Sequence, residues 1–97
     1  MTDDIRELTD HDFDRAISHQ RRERIMRGEL EGGADVIALR RFLGMTQQGF
    51  SDALGISVHT LRNWEQDRRS PDGPALALLR IAARHPGVLL ETLAETA

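Results

Sequence analysis

The sequence lacks cysteine and tyrosine, and three Phe and one Trp supply its aromatic content of 4%. Without cysteine it has neither a disulfide framework nor thiolate metal sites. No stretch alternates apolar and polar residues as a β-strand does. No apolar run approaches the roughly 20 residues that span a bilayer, and the acidic start, MTDDIRELTDHDFD, lacks the apolar centre of a secretory signal. We therefore expect an all-α, cytoplasmic protein without a membrane partner.

An excess of positive charge is also missing. All 13 basic residues are arginine, and 16 Asp and Glu give a formal net charge of -3. Residues 1–31 carry six Arg against nine acids, whereas residues 32–74 and 75–97 are each balanced. The basic stripe typical of nucleic-acid-binding proteins is therefore absent. Any binding of DNA must depend on a local arrangement of residues.

Signatures of catalysis are missing as well. The four histidines have no metal-ligand spacing; they are His11, His19, His59 and His85. No glycine-rich phosphate loop follows a strand, and no serine lies in a nucleophile elbow. We expect no enzymatic activity, no metal and no cofactor.

Glycine and proline divide the remaining sequence into pieces of helix length. Residues 10–27 predict an amphipathic helix capped by Asp10 or Asp12. The double glycine at 32–33 then indicates a hinge between an N-terminal arm, residues 1–33, and a helical domain, residues 34–97. The arm is expected to be helical or partly disordered because its apolar stripe is thin. In the domain the pattern predicts five helices, and every buried position that we identify lies between Asp35 and Leu93.

The segment from Gln47 to Trp64, QQGFSDALGISVHTLRNW, is typical of a helix-turn-helix. Thr46 and Ser57 are suitable N-caps for its two helices. A small residue is needed where the helices cross, a glycine where the turn requires a positive φ, and an apolar residue to fill the turn. The predicted core of this unit comprises Phe50, Ser51, Leu54, Gly55, Ile56, Leu61 and Trp64.

A second helix of this kind inserts its outward residues into the major groove of DNA. With Leu61 and Trp64 directed inward, the predicted base-reading residues are Val58, His59, Arg62 and Asn63. Arg recognises guanine O6 and N7, Asn recognises adenine N6 and N7, and Val contacts a thymine methyl group. Phosphate contacts are expected from the edges of the unit, at Thr46, Gln47, Thr60, Arg68 and Arg69. For Gln47 the reason is the free backbone N–H groups at a helix start. Glu65 either orients one of the arginines or is an exposed acid at a helix end.

The motifs described so far resemble those of a known protein family. Residues 35–84 resemble the helix-turn-helix domain of the Cro and phage-repressor family, in which a Gln begins the first helix of the pair. More narrowly, TLRNWEQDRRSPDGPALALLRIAARHP resembles the antitoxins of the HigA type, where Trp-Glu-Gln-Gly-Arg-Arg followed by Pro and Gly-Pro-Ala is characteristic. The preceding DFDRAI segment also resembles the arm of such antitoxins. Asp67 replaces a Gly of this pattern, and Asp tolerates the left-handed conformation better than most residues.

The resemblance implies a five-helix Cro/phage-repressor-like domain that forms a homodimer and represses its own promoter by binding operator DNA. It also implies that the chain neutralises a small ribonuclease toxin of the HigB or RelE-like kind.

The C-terminus is unusually apolar, which predicts either the dimer contact or core packing. The residues concerned are Val88, Leu89, Leu90 and Leu93. In the acidic arm, Phe13, Ile17 and Met26 are the predicted contacts for a basic toxin.

Three interpretations remain open at this point. The leading one is an antitoxin that is also an autorepressor. A stand-alone repressor, whose arm supports dimerisation or stays disordered, is the second. The third is a protein-interaction module that has lost DNA binding, which the neutral charge of the domain allows. A small basic ribonuclease encoded beside this gene favours the first interpretation over the second.

Overall fold

The computed structural model describes residues 16–96, with side chains at all of these positions except 93, 94 and 96. All the secondary-structure elements within residues 16–96 are α-helices. In chain order they are α1 (His19–Met26), α2 (Gly33–Phe42), α3 (Gln47–Leu54), α4 (Val58–Glu65), α5 (Pro74–Arg84) and α6 (Pro86–Thr96). The all-α class is confirmed: α2 to α6 are the five helices predicted for the domain, and α1 is an arm helix.

Local sequence signals determine where α2 ends and α3 begins. Gly44 adopts a φ of 71°, and its N–H donates to the Arg41 carbonyl at 2.9 Å. The Met45 N–H donates to the Arg40 carbonyl at 3.2 Å, so the last carbonyls of α2 are satisfied. Thr46 then caps α3, and its hydroxyl oxygen accepts the Gly49 N–H at 3.0 Å. The predicted Thr46 cap is confirmed.

Helix α1 begins later than the sequence predicted. Its N-cap is Ser18, whose hydroxyl oxygen accepts the Arg21 N–H at 3.1 Å. Residues 16–18 are not helical, so the prediction of one helix over residues 10–27 is wrong. Asp10 and Asp12 lie outside the described residues. Ser18 satisfies an N–H of the first turn directly, and the helix that follows has 8 residues.

One hydrophobic core joins α1 to the domain. Its buried members are Ile25, Val36, Leu39, Leu43, Met45, Phe50, Leu54, Leu61, Trp64, Leu79, Ala82, Ala83 and Leu89. Ile25 is fully buried, so the expectation that all buried positions follow Asp35 is wrong. The Nε–H group of Arg22 on α1 also donates to the Ala83 carbonyl at 2.9 Å. Packing against α5 therefore stabilises a segment that lacks the apolar stripe of an independent amphipathic helix.

A buried carboxylate provides the second connection between α1 and the domain. The Asp35 side chain is 3% exposed and forms two hydrogen bonds with Arg24, at 2.9 and 3.1 Å. Arg21 Nε lies 3.0 Å from the same carboxylate, and the Glu31 N–H donates to it at 2.8 Å. Burial alone would raise the pKa of Asp35. The hydrogen bonds from Arg24 and the Glu31 backbone, with the nearby guanidinium charges, outweigh burial and lower this pKa below its ordinary value of 3.8.

The double glycine allows a close approach between two helices, and the prediction of a hinge there is wrong. Gly33 is buried at the first position of α2. A Cβ atom at this position would overlap the carbonyl oxygens of Trp64 and Glu65 at the end of α4. The Gly33 N–H donates to the Asp67 carboxylate at 2.7 Å. The start of α2 is therefore in contact with the end of α4 and with the turn that follows it.

The Asp35 contacts predict how stability depends on pH. A carboxyl group whose pKa is lowered by folding stabilises the native state above its unfolded pKa, about 3.9, and loses this contribution as the pH falls through its folded pKa. We expect Asp35→Asn to lower the free energy of unfolding by roughly 3–5 kcal/mol at pH 7, because it breaks a buried ion pair. The difference between variant and wild type should be constant above about pH 5 and should shrink below about pH 4.

Urea denaturation across this pH range measures the effect. Asp52→Asn is the matched control, because Asp52 is exposed on α3 and accepts one hydrogen bond, from Gln48, at 2.8 Å. We expect it to change the free energy of unfolding by less than about 0.5 kcal/mol. A difference for Asp35→Asn that is the same at pH 3 and pH 7 would contradict the role of its charge.

Candidate nucleic-acid interface

Helices α3 and α4 form a compact helix-turn-helix. Gly55 connects them with a φ of 75°, as the predicted turn requires. The Ile56 N–H donates to the Ser51 carbonyl at 3.0 Å, which satisfies an acceptor at the end of α3. Ser57 caps α4, and its hydroxyl oxygen accepts the Thr60 N–H at 3.0 Å. The angle between the two helices is therefore set by a short turn with satisfied backbone groups.

The predicted core residues of this unit face its interior. Phe50, Ser51, Leu54, Leu61 and Trp64 are buried, Ile56 is half-buried against the core, and Gly55 is exposed in the turn. The small Ser51 is fully buried. Its hydroxyl donates to the Gln48 carbonyl at 2.9 Å, so its burial leaves no unsatisfied donor.

Three of the four predicted base-reading residues form the opposite face of α4, and Val58 lies at its edge. His59 and Arg62 are exposed, and Val58 and Asn63 are half-buried. Since a helix advances about 100° per residue, burial of Leu61 and Trp64 leaves His59, Arg62 and Asn63 on the other side. Val58 is three residues before Leu61, so it lies at the edge of this face and not at its centre. The face carries one guanidinium, one amide, one imidazole and one isopropyl group. These groups can make hydrogen bonds and apolar contacts with base edges.

A buried carboxylate lies directly behind this face. The Glu65 side chain is 4% exposed and accepts hydrogen bonds from Arg40 Nε at 2.7 Å and from Arg40 Nη2 at 3.2 Å. It also accepts the side-chain amide N–H of Gln47 at 2.9 Å. The amide oxygen of Gln47 accepts Arg62 Nε at 3.1 Å. Of the two roles left open for Glu65, the structure therefore shows pairing with arginine and not an exposed acid.

The predicted phosphate contacts lie at the two edges of the unit. Gln47 is the first residue of α3, and its half-buried side chain is bonded within the protein. Thr46 is exposed, and the cap uses its oxygen as an acceptor, so within the described part of the chain its hydroxyl hydrogen is free to donate. The Thr60 hydroxyl lies 2.9 Å from that of Ser57.

The other edge is the turn after α4, where Arg68 and Arg69 are both exposed. Their N–H groups donate to the Asn63 carbonyl at 2.9 and 3.3 Å. Asp67 precedes them with a φ of 60°, which confirms that it keeps the left-handed turn. Arg68 and Arg69 therefore follow directly on the end of α4.

Some of the residues predicted for dimer contacts are exposed in the structure, and one is buried. Val88 and Leu90 are 49% and 48% exposed. Leu89, between them, is 5% exposed and belongs to the core, so its assignment to a dimer contact is wrong. It faces inward because α6 packs against α3, and its neighbours lie about 100° to either side. The side chain of Leu93 lies outside the described residues.

The residues predicted for toxin contacts are partly used within the chain. Ile17 and Met26 are half-buried and pack against the core. Phe13 lies outside the described residues. The folded domain therefore already covers part of the apolar surface of the arm.

Within the described residues there is neither a cluster of metal-ligand side chains nor a membrane-spanning helix. No group of three His, Cys, Asp or Glu side chains within residues 16–96 is arranged to hold a metal. No helix in this part of the chain is long and apolar enough to cross a membrane.

Two comparisons with known proteins agree with this geometry. Residues 36–82, from α2 into α5, match the family described as "Helix-turn-helix". The chain is also similar to the antitoxin HigA-2 of Vibrio cholerae serotype O1, with 40% identity over 63 residues. This match covers 64% of the present chain and 61% of that relative, so the chain spans less than two thirds of its length. Residues 36–82 are therefore similar to the helix-turn-helix family, and the chain is similar in sequence to the antitoxin HigA-2.

Proposed function

We propose that this protein is an antitoxin that represses its own operon and neutralises a ribonuclease toxin of the HigB or RelE-like kind. The observation that carries the proposal is the outward face of α4. It presents Arg62, Asn63 and His59 on a helix fixed by a buried core. The similarity to HigA-2 supports the antitoxin part. Repression requires sequence-specific binding of operator DNA, and neutralisation requires a second surface.

DNA binding uses two kinds of contact. The face of α4 enters the major groove, and its side chains contact base edges. Thr46, Thr60, Arg68, Arg69 and the backbone N–H groups at Gln47 contact phosphates on either side. Base contacts determine sequence preference, whereas phosphate contacts contribute affinity that depends on salt.

Substitutions in the two groups should therefore have different effects. We expect Arg62→Ala or Asn63→Ala to cost about 1–3 kcal/mol on the preferred sequence and to relax the preference at particular bases. Arg68→Ala should weaken binding to all sequences alike and should reduce the salt slope by about one unit. Selection from a random duplex library identifies the preferred sequence, and fluorescence anisotropy at several salt concentrations gives the affinities.

Arg84→Ala is the matched control, because Arg84 is exposed on α5, outside the α3–α4 unit. It should change neither the base preference nor the salt slope. If Arg62→Ala and Asn63→Ala both leave base discrimination intact, the reading face is assigned to the wrong side of α4.

A homodimer is required because one recognition helix buries too little surface for tight binding. Two such helices bind half-sites about one DNA turn apart, at roughly 34 Å. The exposed Val88 and Leu90 on α6 are the proposed contacts, together with Leu93. Because the structure places Leu89 in the core, the contact consists of the flanks of α6.

We expect Leu90→Glu to convert the dimer into a monomer, because it places a charge in an apolar contact. Light scattering at micromolar concentration measures the molar mass. Ile81→Glu is the matched control, since Ile81 is 45% exposed but lies on α5. If Ile81→Glu gives the monomer and Leu90→Glu does not, the contact lies on α5.

The segment before α1 is the proposed toxin-binding element. Residues 1–14 contain six acids and one arginine, which complements a ribonuclease that should be basic to bind RNA. Phe13 lies in this segment, and Ile17 and Met26 follow it along the arm. The competing function is a stand-alone repressor without a toxin. The packing of α1 on the domain favours that alternative, since it gives the arm a structural role.

Two truncations separate these functions. A variant without residues 1–15 keeps all the described contacts, so we expect it to fold and to bind DNA like the full chain. Its affinity for the toxin should fall at least about tenfold, which corresponds to a loss of about 1.4 kcal/mol in binding free energy. A variant without residues 1–33 also loses Ile25 and the Arg24 partner of Asp35. It should therefore be less stable by several kcal/mol.

The toxin for this measurement is the product of the neighbouring reading frame, and calorimetry gives the affinity. Full affinity of the variant without residues 1–15 would place the toxin on the folded domain. A neighbouring frame that encodes no small basic protein would favour the stand-alone repressor.

A further inference from the structure

The side chain of Gln47 connects the interior of the domain with the base-reading face. Its Nε2 donates to Glu65 Oε1 at 2.9 Å, and its Oε1 accepts Arg62 Nε at 3.1 Å. A carboxylate accepts only, and a guanidinium donates only, so these two partners allow just one orientation of the amide. The structure thus shows a directed chain of hydrogen bonds from Glu65 through Gln47 to Arg62.

The inner end of this chain is rigid. The Glu65 side chain is 4% exposed and is bound by two nitrogens of Arg40, whose own side chain is 14% exposed. Arg40 also donates to the Met45 carbonyl at 3.2 Å, where α2 leads into α3. Charge-assisted hydrogen bonds of this kind are stronger than neutral ones. The acceptor that orients Gln47 is therefore fixed by contacts among α2, α3 and α4.

The outer end of the chain is a base-reading residue. Arginine bound through Nε keeps both terminal amino groups, and these two groups can contact guanine O6 and N7 together. An exposed arginine without a partner would have to be ordered when DNA binds, at a cost in affinity. The contact with Gln47 orders Arg62 beforehand and limits the direction in which its terminal amino groups can point.

We propose that Gln47 is a positioning residue that holds Arg62 for recognition of guanine, so that base preference depends on Gln47 as well as on Arg62. This inference rests on the proposed binding of DNA by α4. It gives the side chain of Gln47 a role separate from the phosphate contact of the backbone at the same position. A phosphate contact affects all sequences equally, whereas a positioning contact affects one base.

Selection from a library of random DNA duplexes tests the inference without knowledge of the operator. The full-length chain is compared with Gln47→Ala, Arg62→Ala and the double variant. We expect Arg62→Ala to abolish the preference for guanine at one position of each half-site. Gln47→Ala should reduce the preference at that same position by roughly two- to tenfold and leave the other positions unchanged. The double variant should match Arg62→Ala alone, because Gln47 acts only through Arg62.

Gln48→Ala is the matched control. Gln48 is the next residue of α3, is exposed, and donates to Asp52 on its own helix at 2.8 Å. It should leave the profile unchanged, and circular dichroism should show all the variants folded. If Gln47→Ala weakens every sequence equally, or if its effect adds to that of Arg62→Ala, the positioning role is wrong while DNA binding stands. If the wild-type chain enriches no sequence, DNA reading by α4 is wrong, and the positioning role fails with it.

Discussion

A carboxylate can be buried at low cost only when cations or N–H groups satisfy it. Glu65 meets this condition through Arg40 on α2 and Gln47 on α3. Arg40 supplies two charge-assisted hydrogen bonds, so α2 and α4 have to meet at this point, and Gln47 at the start of α3 adds one bond from a neutral amide. Asp35 imposes the same condition at the other end of α2, where its partners come from α1. Helix α2 thus carries an acidic residue near its start and a basic one near its end, and it links α1 to α4.

Features that depend on neighbouring residues were predictable from the sequence. The caps at Thr46 and Ser57, the positive φ of Gly55, and the inward spacing of Leu61 and Trp64 on α4 all involve partners within a few positions. The pairing of Arg40 with Glu65 joins residues 25 apart, and that of Arg22 with Ala83 joins residues 61 apart. The periodicity of apolar residues along the sequence does not indicate contacts between residues so far apart. From the sequence, pairing with an arginine was therefore one of two possible roles for Glu65, and the fold was needed to identify Arg40 as its partner.

Misassigned positions show where local reasoning fails. Ile25 stands in a mostly charged helix, so its burial depends on the groove that α5 provides. Leu89 belongs to an apolar run, and only the docking of α6 on α3 decides which residue of the run faces inward. At Gly33 the sequence showed conformational freedom, although the structure uses the missing Cβ. Asp67 departs from the glycine of the HigA pattern. Its carboxylate accepts the Gly33 N–H, which a glycine there could not do, so the departure adds a contact between two segments.

The neutral charge of residues 32–74 is misleading for the same structural reason. Two of its five acids, Asp35 and Glu65, are buried in ion pairs. Four of its five arginines are exposed, at positions 41, 62, 68 and 69. The exposed surface is therefore slightly positive even though the segment is neutral. Such a surface provides little long-range attraction to DNA. In the proposed function, discrimination between sequences therefore comes from short-range contacts whose geometry is fixed in advance. The buried carboxylate of Glu65, the last residue of α4, fixes that geometry through Gln47 and Arg62.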